Sequence, residues 1–181
     1  IIQNNDLDRY NFSVRNTTSM LNDKLTMDLS FMYSNVKEQN MLSQGEYANP
    51  LVPVYLFPRG DDFSKYQYYE RYDVDRNIKT QFWPLKENGL SMQNPYWITN
   101  RNMYTNKKDR FLASGSLKYT ITDWLNVSGR VKLDKETINS EKKMYASTLN
   151  VIAENSDKGA YVQSNKNTSQ IYADAMLNIN K

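Results

Sequence analysis

The sequence predicts an all-β protein, a transmembrane antiparallel β-barrel with long extracellular loops, and three observations carry that expectation. Five segments alternate apolar and polar residues with period two. The connections between them alternate between tight turns and long stretches. Hydropathy is low, with 39% hydrophobic and 24% charged residues, yet the chain carries 14 tyrosines. Disordered chains are poor in aromatics. A membrane barrel reconciles both facts, because only every second strand residue faces lipid.

The first segment, about 9–20, sets Tyr10, Phe12 and Val14 on one face and Arg9, Asn11, Ser13 and Arg15 on the other. The second, about 25–36, repeats this with Leu25, Met27, Leu29, Phe31 and Tyr33 against Thr26, Asp28, Ser30 and Ser34. Leu21-Asn22-Asp23-Lys24 lies between them, and Asn and Asp tolerate tight-turn backbone. Placing Met20 opposite Leu25 also places Val14 opposite Phe31 and Phe12 opposite Tyr33, so the apolar faces coincide.

A second hairpin joins about 109–121 to about 125–136 through Thr122-Asp123-Trp124. Its apolar face holds Phe111, Ala113, Gly115, Leu117, Tyr119 and Ile121, then Leu125, Val127, Gly129, Val131 and Leu133. Pairing Ile121 with Leu125 sets each glycine beside a larger neighbour. A fifth segment, about 169–180, continues with Ile171, Ala173, Ala175, Leu177 and Ile179. Each segment is about ten residues or slightly more, as a tilted strand needs to cross a bilayer.

Two connections are long, about 39–107 and 137–168. Alternation alone also fits a soluble sandwich. The asymmetry decides for a barrel, where short periplasmic turns and long extracellular loops are expected. The first long loop holds all five prolines and 13 of the 23 aromatic residues. Those aromatics need something to pack against, so a compact cap is expected there.

Composition excludes several chemistries. With no cysteine and no histidine, the chain has no disulfide, thiolate site, Ser-His-Asp triad or His-ligated metal. No nucleophile motif stands out, and the chain is not expected to be an enzyme. A net charge of +3 is too small to imply nucleic acid. No apolar run reaches the length of a membrane helix. Asp73-Val74-Asp75-Arg76-Asn77 begins like a calcium loop, but Ile78 and Pro84 stand where Gly and Glu are required. No cofactor or metal is expected. The chain reads as an internal piece of a longer protein, with residues 1–181 forming part of one barrel.

Several pieces in order resemble SusC/RagA-type TonB-dependent transporters of the Bacteroidetes outer membrane. They are Tyr47-Ala48-Asn49-Pro50-Leu51, Tyr55-Leu56-Phe57-Pro58-Arg59-Gly60, Glu70-Arg71-Tyr72-Asp73, Asn94-Pro95-Tyr96-Trp97 and Asn100-Arg101. Leu117-Lys118-Tyr119, Trp124-Leu125-Asn126-Val127-Ser128-Gly129-Arg130 and Tyr172-Ala173-Asp174-Ala175 follow. The resemblance implies a 22-stranded barrel closed by a plug, of which this chain supplies about five strands. It also implies import of oligosaccharide, with peptide as the alternative, alongside a SusD-like surface lipoprotein and energy from the TonB complex. Plug and TonB box are not recognisable in this chain. A non-transporting adhesin or structural barrel and a soluble β-rich ligand-binding module are the rival readings.

Two residue sets are candidates for function. Tyr55, Phe57, Arg59, Trp83, Tyr96 and Trp97 of the long loop are expected to hold the cap together and to present substrate or partner contacts. Arg15, Asp28, Lys118, Arg130, Lys132 and Asp174 fall on polar strand faces, which in a barrel point into the lumen. Tyr119 and Trp124, near a tight turn, suit an interfacial aromatic girdle.

Overall fold

A computed structural model describes residues 2–41, 45–83, 85 and 92–180. Pro84 lies outside them. The elements run β1 (Asp6–Met20), β2 (Leu25–Gln39), α1 (Leu51–Tyr55), a 3-10 helix (Phe63–Gln67), β3 (Glu70–Asp73) and β4 (Ile78–Gln81). Then come α2 (Pro95–Arg101), β5 (Asn102–Thr122), β6 (Leu125–Met144) and β7 (Ala160–Ile179). The fold is mostly antiparallel β-sheet. One sheet has five strands in the order β1-β2-β5-β6-β7, and β3 and β4 form a separate hairpin. Among the described residues β1 and β7 do not pair with each other, so the large sheet is open rather than a closed barrel.

The chain divides into two compact units. The sheet unit comprises Asp8–Val36, Lys107–Asn139 and Asn165–Lys181. Its first hairpin turns through Leu21, Asn22 and Asp23, all in the left-handed region with φ of 56°, 54° and 63°. Asn and Asp reach that region more readily than other side chains, whereas Leu21 is forced into it. Asn11 accepts from Ser34 at 2.7 Å and Thr17 donates to Asp28 at 3.0 Å. Both pairs keep the offset that sets Met20 opposite Leu25. In the second hairpin Ser140 donates to Asn106 at 2.8 Å, the offset that sets Ile121 opposite Leu125.

These registers bring the odd positions of β2, β5, β6 and β7 and the even positions of β1 to one face. Phe12, Phe31 and Phe111 form an edge-to-face ladder across three strands, with centroids 6.1 and 4.9 Å apart. Gly115 lies under Leu29, where an added Cβ would come within 3.2 Å of the Leu29 Cδ2 atom. The apolar face is exposed at Tyr10, Phe12, Val14, Leu117, Val127, Val131, Ile171 and Leu177.

The strands are longer than alternation predicts. β1 begins at Asp6, β5 at Asn102 and β7 at Ala160, while β2 ends at Gln39 and β6 at Met144. The added residues include Thr105-Asn106-Lys107-Lys108, Asn139-Ser140-Glu141-Lys142 and Asn165-Lys166-Asn167-Thr168. Both of their faces are polar, so no period-two signal marks them, although their backbone still pairs. The expected long loops shrink accordingly, and the first contains two α-helices, a 3-10 helix and a hairpin.

The loop unit comprises Ile1–Leu7, Lys37–Asn106 and Ser140–Ser164. It holds the chain's buried core: Trp83, Met92, Trp97, Ile98, Met144 and Ala153, with Gln93, Asn94, Thr99 and Thr148 buried among them. Helix α2 starts where a helix should. Asn94 is its N-cap and accepts from the Tyr96 amide at 2.9 Å, and Pro95 fills the first turn, where no amide hydrogen is needed.

Candidate functional site

Two surfaces carry the candidate residues, one in each unit. In the sheet unit the face opposite the apolar one is laced with charge pairs. Arg15 makes a forked contact to Asp28, with a shortest distance of 2.7 Å. Arg130 pairs with Asp174 at 2.7 Å while its guanidinium stacks on Tyr172 at 5.5 Å. Four of the six expected residues therefore form two pairs. Lys118 and Lys132 share this face and are exposed, and neither makes an ion pair among the described residues.

Three further pairs escaped sequence reading. Arg110 meets Asp134 at 2.5 Å, Lys108 meets Glu136 at 2.8 Å, and Ser30 lies 2.7 Å from Ser114. Their positions share the face of Arg15 and Asp174. The register of the second hairpin brings Arg110 diagonal to Asp134, so the pairing was derivable once the register was fixed.

In the loop unit an aromatic cluster joins segments far apart in sequence. Phe57 contacts Phe63, Tyr66 and Trp83 at 4.9, 5.3 and 6.4 Å, and Tyr96 packs on Phe63 at 5.7 Å. Trp97 is fully buried, with Tyr69 at 6.5 Å, and its indole N–H donates to Thr148 at 3.0 Å. Phe57, Trp83, Tyr96 and Trp97 thus take part in holding the loop unit together.

Tyr55 and Arg59 do not. Tyr55 is 84% exposed at the end of α1, and Arg59 is exposed in the turn that follows. Both side chains are left open to solvent. The reverse correction applies to Trp83 and Trp97. At 5% and 0% exposure they are core residues and offer no surface to a ligand. The exposed aromatics of this unit are instead tyrosines, Tyr55, Tyr68, Tyr72, Tyr104, Tyr145 and Tyr161 among the described residues.

Sequence reading also missed the polar framework behind the aromatics. Asn94 Nδ2 donates to the Tyr66 and Phe82 carbonyls at 2.9 and 3.1 Å, and its amide donates to Gln81 at 2.6 Å. Gln93 donates to the Tyr47 carbonyl at 2.8 Å and accepts from the Leu149 amide at 3.0 Å. Through Gln93–Leu149 and Trp97–Thr148 the first loop is bonded to the segment after β6. The Gln93 and Asn94 side-chain amides both have backbone partners, which is what makes their burial tolerable.

Ion pairs complete the framework. Glu70 receives Lys79 at 2.6 Å and Arg101 at 2.7 Å. Burial acts to raise the Glu70 pKa, but the hydrogen bonds from the two cations outweigh it and hold the carboxyl below the usual range. Asp73 caps the β3–β4 turn by accepting from the Arg76 amide at 3.0 Å, and Asp62 caps the 3-10 helix. Those carboxylates have local structural work. Among the described residues no group of three or more acidic side chains is placed to hold a metal. No helix of the described residues is long and apolar enough to cross a membrane, which says nothing of strands.

No protein-family model matches the sequence, and neither does any curated protein.

Proposed function

We propose that this chain is wall and loop structure of an outer-membrane β-barrel. In this reading the barrel is a TonB-dependent importer of nutrient oligomers, oligosaccharide above peptide, working with a SusD-like surface lipoprotein. One observation supports the barrel most directly. A five-stranded antiparallel sheet has one face apolar and exposed on every strand and the other face polar and charge-paired. In water the apolar face would be a large liability. Against lipid it is the stable arrangement, with paired charges turned to a lumen.

Dimensions agree. From Phe111 to Ile121 the apolar series of β5 covers roughly 34 Å of strand at about 3.4 Å per residue. At a tilt of about 45° that spans roughly 24 Å, close to the apolar band of such barrels. Trp124 and Tyr119, 51% and 40% exposed beside the second turn, suit one edge of that band. The open edges of β1 and β7 call for further strands, because unpaired backbone is not tolerated in lipid.

The importer reading rests on the resemblance of the loop motifs, and the chain acts in it as scaffold and surface rather than as catalyst. Deleting the parent gene should abolish growth on one oligosaccharide and leave growth on its monosaccharide intact. Growth unchanged on every oligomer and peptide tested contradicts import. Recovery of the protein in the soluble fraction contradicts the barrel.

A further inference from the structure

The polar face of the sheet unit carries more positive charge than it pairs. Its strand positions hold eight Lys and Arg side chains against four carboxylates. Asp28, Asp134, Glu136 and Asp174 each hold one of those cations, as described for Arg15, Arg110, Lys108 and Arg130. Arg9, Lys118, Lys132 and Lys166 are left over. All four are exposed, and none lies within ion-pair distance of a carboxylate among the described residues. The apolar face of the same unit is balanced, with Asp8 and Asp109 against Lys107 and Lys135. The excess is therefore confined to one side of the wall.

The registers set the free cations at three heights. Lys118 is nearest the β5–β6 turn. Lys132 stands opposite Ser114, four residues further along the sheet. Arg9 lies across from Val36 and Lys166 across from Ile138, and both of those flank Lys108, six residues beyond Ser114. From Lys118 to Lys108 the strand covers roughly 34 Å at about 3.4 Å per residue, or roughly 24 Å of height at a tilt of about 45°. Positive charge thus recurs over the depth of the apolar band instead of gathering at one point. A surface of one sign backed by low-dielectric material focuses its field and concentrates ions of the opposite sign. Lys and Arg lining a pore favour anions on the same ground. Charge spread over this length matches an extended chain with several negative groups better than a single small anion.

We propose that this wall guides an anionic oligosaccharide, one whose sugars carry carboxylate or sulfate groups, with the free cations as successive contacts. The inference rests on the importer reading and narrows its cargo.

The test is uptake of fluorescent oligosaccharides of matched length by cells with and without the parent gene. The probes are a neutral xylo-oligosaccharide, an oligogalacturonate and a sulfated chondroitin oligosaccharide. Gene-dependent uptake is expected for an anionic probe, the carboxylated or the sulfated one showing which group is read, and not for the neutral one. Lys118→Gln with Lys132→Gln should lower that uptake at least fivefold, while Lys118→Arg with Lys132→Arg should keep it within twofold. Arg9→Gln with Lys166→Gln, at the other end of the track, should lower it too, which keeps the test decisive if the first pair fails to reach the outer membrane. Anionic uptake that does not depend on the gene overturns the proposal, and gene-dependent uptake of a neutral oligomer or a peptide then leaves the importer reading standing. Unchanged anionic uptake in the Gln pairs, with the protein present in the outer membrane, assigns these cations to the plug and also overturns it.

Discussion

Trp97 is the largest fully buried side chain among the described residues, and its removal gives a quantitative expectation. A buried aromatic covers about 150–250 Å², which at about 25 cal/mol per Å² corresponds to roughly 4–6 kcal/mol. Measured large-to-small substitutions of buried aromatics cost about 3–5 kcal/mol. Trp97→Ala also removes the bond to Thr148, worth about 1 kcal/mol, and loosens the bond from Thr148 to Asn102. The sum is about 4–6 kcal/mol, comparable to the whole stability of a small domain, about 5–15 kcal/mol. The loop unit should therefore open locally, its open population rising on the order of 10³-fold. Limited proteolysis of the protein in membranes reads this directly, as cleavage in the lysine- and arginine-bearing stretch 59–101. Trp97→Phe keeps most of the area and should cost about 1–2 kcal/mol. If Trp97→Ala is cleaved within threefold of the unaltered protein, the loop unit is not held by its core and the reasoning fails.

Other perturbations follow from single contacts. Gly159 has φ +83°, and an added Cβ would collide with the Met144 carbonyl oxygen, so Gly159→Ala should destabilise the loop unit by more than about 1 kcal/mol in urea titration. Glu70 has a lowered pKa, so its contribution is complete above the ordinary carboxylate pKa and is lost as pH falls through its own lower value. Loop-unit proteolysis should be flat from about pH 7 to 5 and rise below about pH 4, and Glu70→Gln should remove that part of the pH dependence. Tyr55→Ala removes an exposed ring without core contacts and should leave urea stability within about 0.5 kcal/mol of the original. A large loss there would show that the ring is covered.

Alternation at Tyr10–Val14, Leu25–Tyr33 and Phe111–Leu133 made the strands, their faces and two hairpin registers readable, because one buried or lipid-facing side imposes period two. Where both faces turn polar, as at Asn139–Lys142 and Asn165–Thr168, the same ladder continues without a compositional trace. The aromatic count of the long loop foretold a compact cap but not its arrangement. Tyr55 and Trp97 look equally suited to burial in sequence, and only three-dimensional neighbours separate 84% from 0% exposure. Gln93, Asn94 and Thr148 read as ordinary loop polarity, since their value lies in bonds to other segments, 12 and 28 residues away for Asn94 and 46 and more for Gln93 and Thr148. The charge pairs fell between these cases: Arg15–Asp28 follows from the hairpin, while Arg130–Asp174 needed the β6–β7 register.

Under the proposed function one face of the large sheet meets lipid and the other does not. This chain has no cysteine of its own, so single cysteines can be placed along β5 and β6 and spin-labelled in the reconstituted full-length protein. Collision with oxygen, which concentrates in lipid, and with a water-soluble nickel complex is then compared position by position. Labels at Leu117, Tyr119, Val127 and Val131 should collide with oxygen and avoid nickel, and labels at Lys118, Ser128 and Lys132 should lose the oxygen contact. Period-two alternation in that phase supports the account. Oxygen contact at the polar positions, or no alternation at all, contradicts it.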